Sequence, residues 1–175
     1  MPLGTSASHA KQGRESKMRS ASKSEAKQQD AIKLLMADHD EVEGLFKQFQ
    51  KAKNDGSRKG EIVEQICKAL TVHAEIEEEI FYPAVRDAFA EKDETIMDEA
   101  DVEHASIKSL VGQLEGGDLG EELFDAKVKV LSEYVMHHVK EEEGKMFPRV
   151  KMTDLDLDEL GMELAARKAE LTSEN

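Results

Sequence analysis

The chain has no tryptophan, one cysteine and three prolines in 175 residues, and aromatic side chains make up 5% of it. A single cysteine, Cys67, excludes an intrachain disulfide framework and fits a reducing, cytoplasmic setting. Scarce proline leaves long stretches without a helix breaker. No apolar run approaches the ~18 residues of a membrane span, so no membrane partner is expected. Basic residues are outnumbered: 24 Lys and Arg against 38 Asp and Glu give a formal net charge of −14. That balance argues against a nucleic-acid partner, because a phosphate backbone is met by a positive footprint. A Gly-rich phosphate loop, a Ser-His-Asp pattern and a Cys-x-x-Cys pair are all missing. The length corresponds to one domain with a buried core.

What is present is helix-forming material. Residues 1–28 stand apart, with six basic and two acidic residues and almost no large apolar side chains. Such a segment cannot bury enough surface to offset its ordering entropy and is expected to be a disordered basic tail. Beyond it, Ile32, Leu35, Val42, Phe46 and Phe49 recur at helical spacing from about Asp30 to Lys53. Asn54–Ser57 ends that helix, with Gly56 expected in a left-handed conformation. Ile62, Ile66, Leu70 and Ile80 mark a second helix, in which Pro83 predicts a kink or a new segment running to Glu91. Met97, Ala100, Ile107, Val111 and Leu114 mark a third, broken by the glycines of residues 116–120. Phe124, Val128, Leu131 and Val135 mark a fourth, ending near Pro148. A short amphipathic helix with Leu157, Leu160, Leu164 and Leu171 closes the chain. No stretch alternates with period two. The expectation is an all-α chain: a tail over 1–28, an up-down-up-down four-helix bundle over 29–152, and a C-terminal amphipathic helix over 153–175.

The body repeats itself. Asp38–Pro83 aligns without gaps onto Glu103–Pro148 at an offset of 65 residues. His39 falls on His104, His73 on His138, Glu77 on Glu142, Glu78 on Glu143, and Tyr82 on Phe147. Each repeat reads as one helical hairpin, so the bundle is two similar hairpins. The best-repeated residues are polar, yet they continue the apolar stripes. His39 follows Ile32 and Leu35, His104 sits between Ala100 and Ile107, and His73-x-x-x-Glu77 and His138-x-x-x-Glu142 extend the stripes of the second and fourth helices. Within each pair the two histidines are 34 residues apart, which brings them to a similar depth in an antiparallel hairpin. A buried carboxylate is costly unless a cation compensates it. Four imidazoles and two carboxylates exceed the four ligands of a structural zinc and suit two octahedral irons with carboxylate bridges and open positions.

The set Asp38-His39, HAEIEEEIFYP at 73–83, Glu103-His104 and HVKEEEGKMFP at 138–148 resembles the hemerythrin-like HHE cation-binding domain. The resemblance covers about residues 30–150. It implies a four-helix bundle holding two non-haem Fe ions, oxo- or hydroxo-bridged, with His39, His73, Glu77, His104, His138 and Glu142 as ligands. Oxygen-carrying hemerythrins have a further histidine one turn after the third-helix histidine, and Lys108 stands there in this chain. His137 falls off the stripe. Asp38 and Glu103 are candidates to orient metal-bound histidines, while Glu75, Glu78, Glu79, Glu141 and Glu143 read as solvated faces or as such partners. Tyr134 is a candidate hydrogen-bond donor to a bound oxygen species, and Cys67 reads as a packing residue.

The functional expectation is a di-iron protein that binds or senses O2. The alternatives are a di-iron enzyme acting on hydrogen peroxide or nitric oxide, and an iron-storage or metal-responsive module.

Overall fold

The computed structural model describes residues 30–52, 55–90, 93–117 and 120–174, so the expected basic tail lies outside the described residues. The described chain is all-helical, without a strand. Helix α1 spans Ala31–Ala52 and α2 spans Gly56–Ile76. A five-residue π turn, Glu77–Phe81, joins α2 to α3, Tyr82–Ala88. Helix α4 spans Glu94–Glu115, and α5 spans Phe124–Glu141. A second π turn, Glu142–Met146, leads into α6, Phe147–Val150. Helix α7 spans Leu157–Glu174.

Local chemistry accounts for the boundaries. Asp55 caps α2, its side chain accepting a hydrogen bond from the Arg58 N–H. Gly56 therefore opens a helix instead of closing one, and its φ is not left-handed. Pro83 and Pro148 each sit at the start of a new α segment, where the missing N–H costs little. The widened turn just before each proline accommodates its ring without ending the helix. The closing helix is not short: α7 has 18 residues, as many as α5.

Helix α1 packs on α2, α4 on α5, and α2 on α4, while α7 lies across α1, α2 and the first π turn. The core falls into two apolar clusters. One holds Ile32, Leu35, Ile76, Phe81, Val85, Met97, Ala100, Met146 and Phe147, sealed by Leu160, Leu164 and Leu171 of α7. The other holds Val42, Phe46, Ile66, Leu70, Ile107, Val111, Leu131 and Val135. Between them lies a polar layer. Along α1 and α4 the chain passes from the first cluster through a histidine to the second. Along α2, and along α5 with the π turn that follows it, the chain passes the other way. All four histidines thus occupy one level, where the apolar stripe of each helix is interrupted. No helix among the described residues is long and apolar enough to cross a membrane.

Candidate metal centre

All six residues expected from the sequence converge in that layer. His39, His73, His104 and His138 are buried, and Glu77 and Glu142 have no exposed surface at all. The inner face is made of imidazole Nε2 atoms and carboxylate oxygens. Glu77 Oε2 lies 3.2 Å from His73 Nε2 and 3.3 Å from His104 Nε2. Glu142 Oε2 lies 3.3 Å from His39 Nε2 and 3.5 Å from His138 Nε2. Each glutamate therefore meets a histidine of its own hairpin and one of the other. Donors bound at ~2.1 Å to one metal and at right angles stand ~3 Å apart, which is the spacing seen here. Two overlapping sets result: His39, His73, Glu77 and Glu142, and Glu77, His104 and His138. Glu77 is common to both.

Five of the buried donor atoms are left without a hydrogen-bond partner. His39 Nε2, His73 Nε2, both oxygens of Glu77 and Glu142 Oε2 are enclosed and unsatisfied. Unpaired polar atoms at zero exposure are expensive, and a pair of cations would satisfy all of them. The donor set fits a bound cation.

The outer nitrogens are held just as regularly. Nδ1 of each imidazole faces a carboxylate: His39 with Glu143 at 2.8 Å, His73 with Asp38 at 3.4 Å, His104 with Glu78 at 3.1 Å, and His138 with Glu103 at 2.8 Å. Asp38 and Glu103 serve their own hairpin, while Glu78 and Glu143 reach across to the other. Such partners fix the tautomer that leaves Nε2 free for a metal and raise its basicity. Burial pushes the Asp38 and Glu78 carboxyls up. Hydrogen bonds outweigh it, from His73 and Lys168 for Asp38 and from Lys108 and His104 for Glu78, so both end below the usual range. Lys108 points outward to Glu78, 2.7 Å from Oε2, and not into the centre. His137 is 64% exposed and pairs with Glu103.

One inner residue escapes sequence reasoning. The Tyr82 hydroxyl donates to Glu142 Oε1 at 2.9 Å and lies 3.0 Å from His104 Nε2 and 3.5 Å from His138 Nε2. Its repeat counterpart, Phe147, has no hydroxyl and stacks on His39, with ring centroids 6.0 Å apart. The centre is therefore unequal in its two halves. The signal was in the repeat, as the Tyr-for-Phe difference at that one aligned position. Burial, with the charges of Glu77 and Glu142, holds the Tyr82 phenol well above its usual range, so it keeps its proton. Tyr134, by contrast, is 48% exposed and far from this role. Cys67 is buried, and burial pushes its thiol up to about 12, which leaves a packing residue and not a reactive one.

Without metal, protons take the cations' place. Burial disfavours charge on His39 and His104, but the adjoining carboxylates of Glu142 and Glu77 respectively prevail, raising both from 6.5 to about 9. The same contacts, with His138 foremost, outweigh burial to hold Glu142 well below the usual carboxylate range. A raised histidine stabilises the fold below its unfolded value and ceases to do so as pH rises through the folded value. A lowered carboxylate does so above its unfolded value. The chelated protein should accordingly be most stable between pH 4.5 and 6.5 and weaken from 6.5 to 9. Metal affinity should rise over that same interval, because the ligating histidines must be neutral. Urea midpoints of chelated protein across this range check the first, and metal competition at each pH checks the second.

The inner side opens on a cavity of about 20 Å³, lined by the four histidines, by Asp38 and by Val42, Leu70, Ala74, Ile107, Val135 and Val139. That is little more than the space one water needs, so only a very small molecule fits.

Comparison with known proteins agrees with this geometry. Residues 30–150 match the family described as the hemerythrin HHE cation binding domain. The chain is 36% identical over 123 residues to a protein of Nostoc sp. (strain PCC 7120) named DNA nickase, a match taking in 70% of this chain but 33% of that relative. This chain thus spans about a third of that relative's length. Its fold is similar to a solved structure of a hemerythrin HHE cation binding domain-containing protein from Mycobacterium kansasii. The TM-score is 0.70 at 23% identity, covering 83% of this chain and 89% of that one.

Proposed function

The chain belongs to the hemerythrin HHE cation-binding domain family, and on that premise we propose that it is a non-haem di-iron protein that binds or senses O2. In this reading the four long helices form an up-down-up-down bundle. His39, His73, His104 and His138 with Glu77 and Glu142 would hold two irons, and Glu77 is the residue common to both donor sets. The observation that carries the reading is the small cavity of about 20 Å³ resting on all four histidines, which matches a diatomic molecule and leaves no room for an organic substrate. Two irons so held would supply the paired one-electron changes that O2 or hydrogen peroxide requires. The chain's own part is geometric and electrostatic. The carboxylates behind each Nδ1 lock the imidazoles, and the apolar walls exclude water.

A second reading, an enzyme consuming hydrogen peroxide, is favoured by Tyr82. A phenol inside the centre, hydrogen-bonded to Glu142 at 2.9 Å, can relay a proton between that carboxylate and a bound peroxide without itself ionising, a step that plain O2 binding does not require. Disproportionation of peroxide to O2 and water moves protons as well as electrons.

DNA cleavage is not carried over from the Nostoc relative. The net charge of −14 opposes docking on a phosphate backbone.

The test is iron content of anaerobically loaded protein, then an optical spectrum in air and peroxide consumption. Two irons per chain with a new, persistent visible band in air support O2 binding. Two irons with rapid peroxide loss support the enzyme. One metal or none sinks both. In the enzyme case Tyr82→Phe should keep both irons and slow peroxide consumption by about a hundredfold or more, the low end of what a positioned proton-transfer group contributes.

A further inference from the structure

We propose that Lys168 of α7 is a positioning residue of the metal centre, acting on His73 through Asp38, so that α7 completes one half of the centre. The proposal rests on the metal reading above.

The helix itself raises the question. Leu157, Leu160, Leu164 and Leu171 form its apolar stripe, and the turn missing between Leu164 and Leu171 falls at Lys168. A lysine at a bundle-facing position calls for a partner. Lys168 Nζ pairs with Asp38 Oδ1, while Asp38 Oδ2 faces His73 Nδ1. Asp38 is buried, and each of its oxygens has its own partner.

The repeat gives the reason that the cation comes from outside the hairpins. The counterpart of Asp38 is Glu103, whose second oxygen is met by His137 at 3.2 Å. The residue aligned with His137 in the first hairpin is Val72, which is buried and apolar. It cannot supply a charge. α7 packs over this face and brings Lys168 to the carboxylate instead. A second contact fixes α7 in register: Arg167 grips Glu79 of the first π turn with Nε to Oε2 at 2.7 Å and Nη2 to Oε1 at 3.1 Å. Adjacent residues of α7 thereby hold both chain segments that bear the first half of the centre, α1 at Asp38 and the π turn that begins at Glu77.

The prediction is asymmetric. Lys168→Met keeps the aliphatic stem and removes the charge. In the full chain loaded with ferrous iron, one of the two irons should pass to a colorimetric chelator about tenfold faster than in wild type, the low end for loss of such a supporting contact. The other iron should leave at the wild-type rate, and Lys168→Arg should restore the first. In an Asp38→Asn background Lys168→Met should add nothing further. Equal acceleration of both irons, no acceleration, or a full additional effect beside Asp38→Asn would overturn the proposal.

A readout independent of iron accompanies it. In the metal-free protein the ring-nitrogen NMR signals of His73 should move in Lys168→Met and return in Lys168→Arg, with those of His104 and His138 unchanged. Unmoved His73 signals overturn the proposal whether or not iron binds. A wild type that takes up no iron defeats the metal reading and leaves this second test standing.

Discussion

Stripping the metals should lower the thermal midpoint by about 10 °C. The centre places two carboxylates of zero exposure beside four buried imidazoles, a charged layer that burial alone disfavours. A ligand present at ~1,000 times its dissociation constant stabilises the fold by ~4 kcal/mol. For a chain of this size each kcal/mol moves the midpoint by ~2–4 °C. Complete unfolding is not expected, for two reasons. The apolar clusters above and below the layer remain packed, and His39 and His104, raised to about 9, carry protons at neutral pH that offset part of the carboxylate charge. Calorimetry of chelated and iron-loaded protein at pH 7.5 makes the comparison. Coincident melts would mean that the layer is satisfied without metal.

The second large effect separates the two glutamates, which the repeat makes look equivalent. Glu77→Gln should leave fewer than one iron per chain, whereas Glu142→Gln should retain about one. Glu77 belongs to both candidate donor sets, and both of its oxygens lack any other partner. Glu142 belongs to one set, and its Oε1 is already engaged by the Tyr82 hydroxyl. The second set keeps Glu77, His104 and His138 when Glu142 is changed. Iron analysis after gel filtration decides the order. Equal losses in the two variants would show that Tyr82 leaves Glu142 free to bridge. The amide is isosteric, so folding can be verified by circular dichroism before the metal is counted.

Much of this was legible in one sequence. Apolar spacing located the long helices, because a helix with one buried stripe must repeat its apolar residues every three to four positions. The offset of 65 residues displayed His39, His73, Glu77 and their counterparts as residues kept while their neighbours changed. Polar residues on an apolar stripe imply a partner. Six such residues on four helices imply a cation.

The inner tyrosine was not legible, and the reason is local geometry. Continuing the α-helical period from Leu70, His73 and Glu77 puts Ile80 on the inner face. The π turn at Glu77–Phe81 widens the helix by one residue. Ile80 is consequently only half-buried, while Phe81 and Tyr82 turn inward and are buried. The Tyr82 N–H bonds to the Glu77 carbonyl across that turn. The matching π turn begins at Glu142 and places Phe147 likewise. Single π turns cluster at functional sites, but no residue pattern announces one beforehand.

The sequence by itself determined the long helices, the duplication and the six inward-facing histidines and glutamates, because these follow from periodicity and from the cost of burying charge along a single chain. Only the tertiary structure decided which carboxylate stands behind which histidine. Glu143 lies 104 residues from His39, and Lys168 lies 130 from Asp38. Contacts across such separations depend on how hairpins and the closing helix pack, and helical period says nothing about the neighbour that a side chain meets once it leaves its own helix.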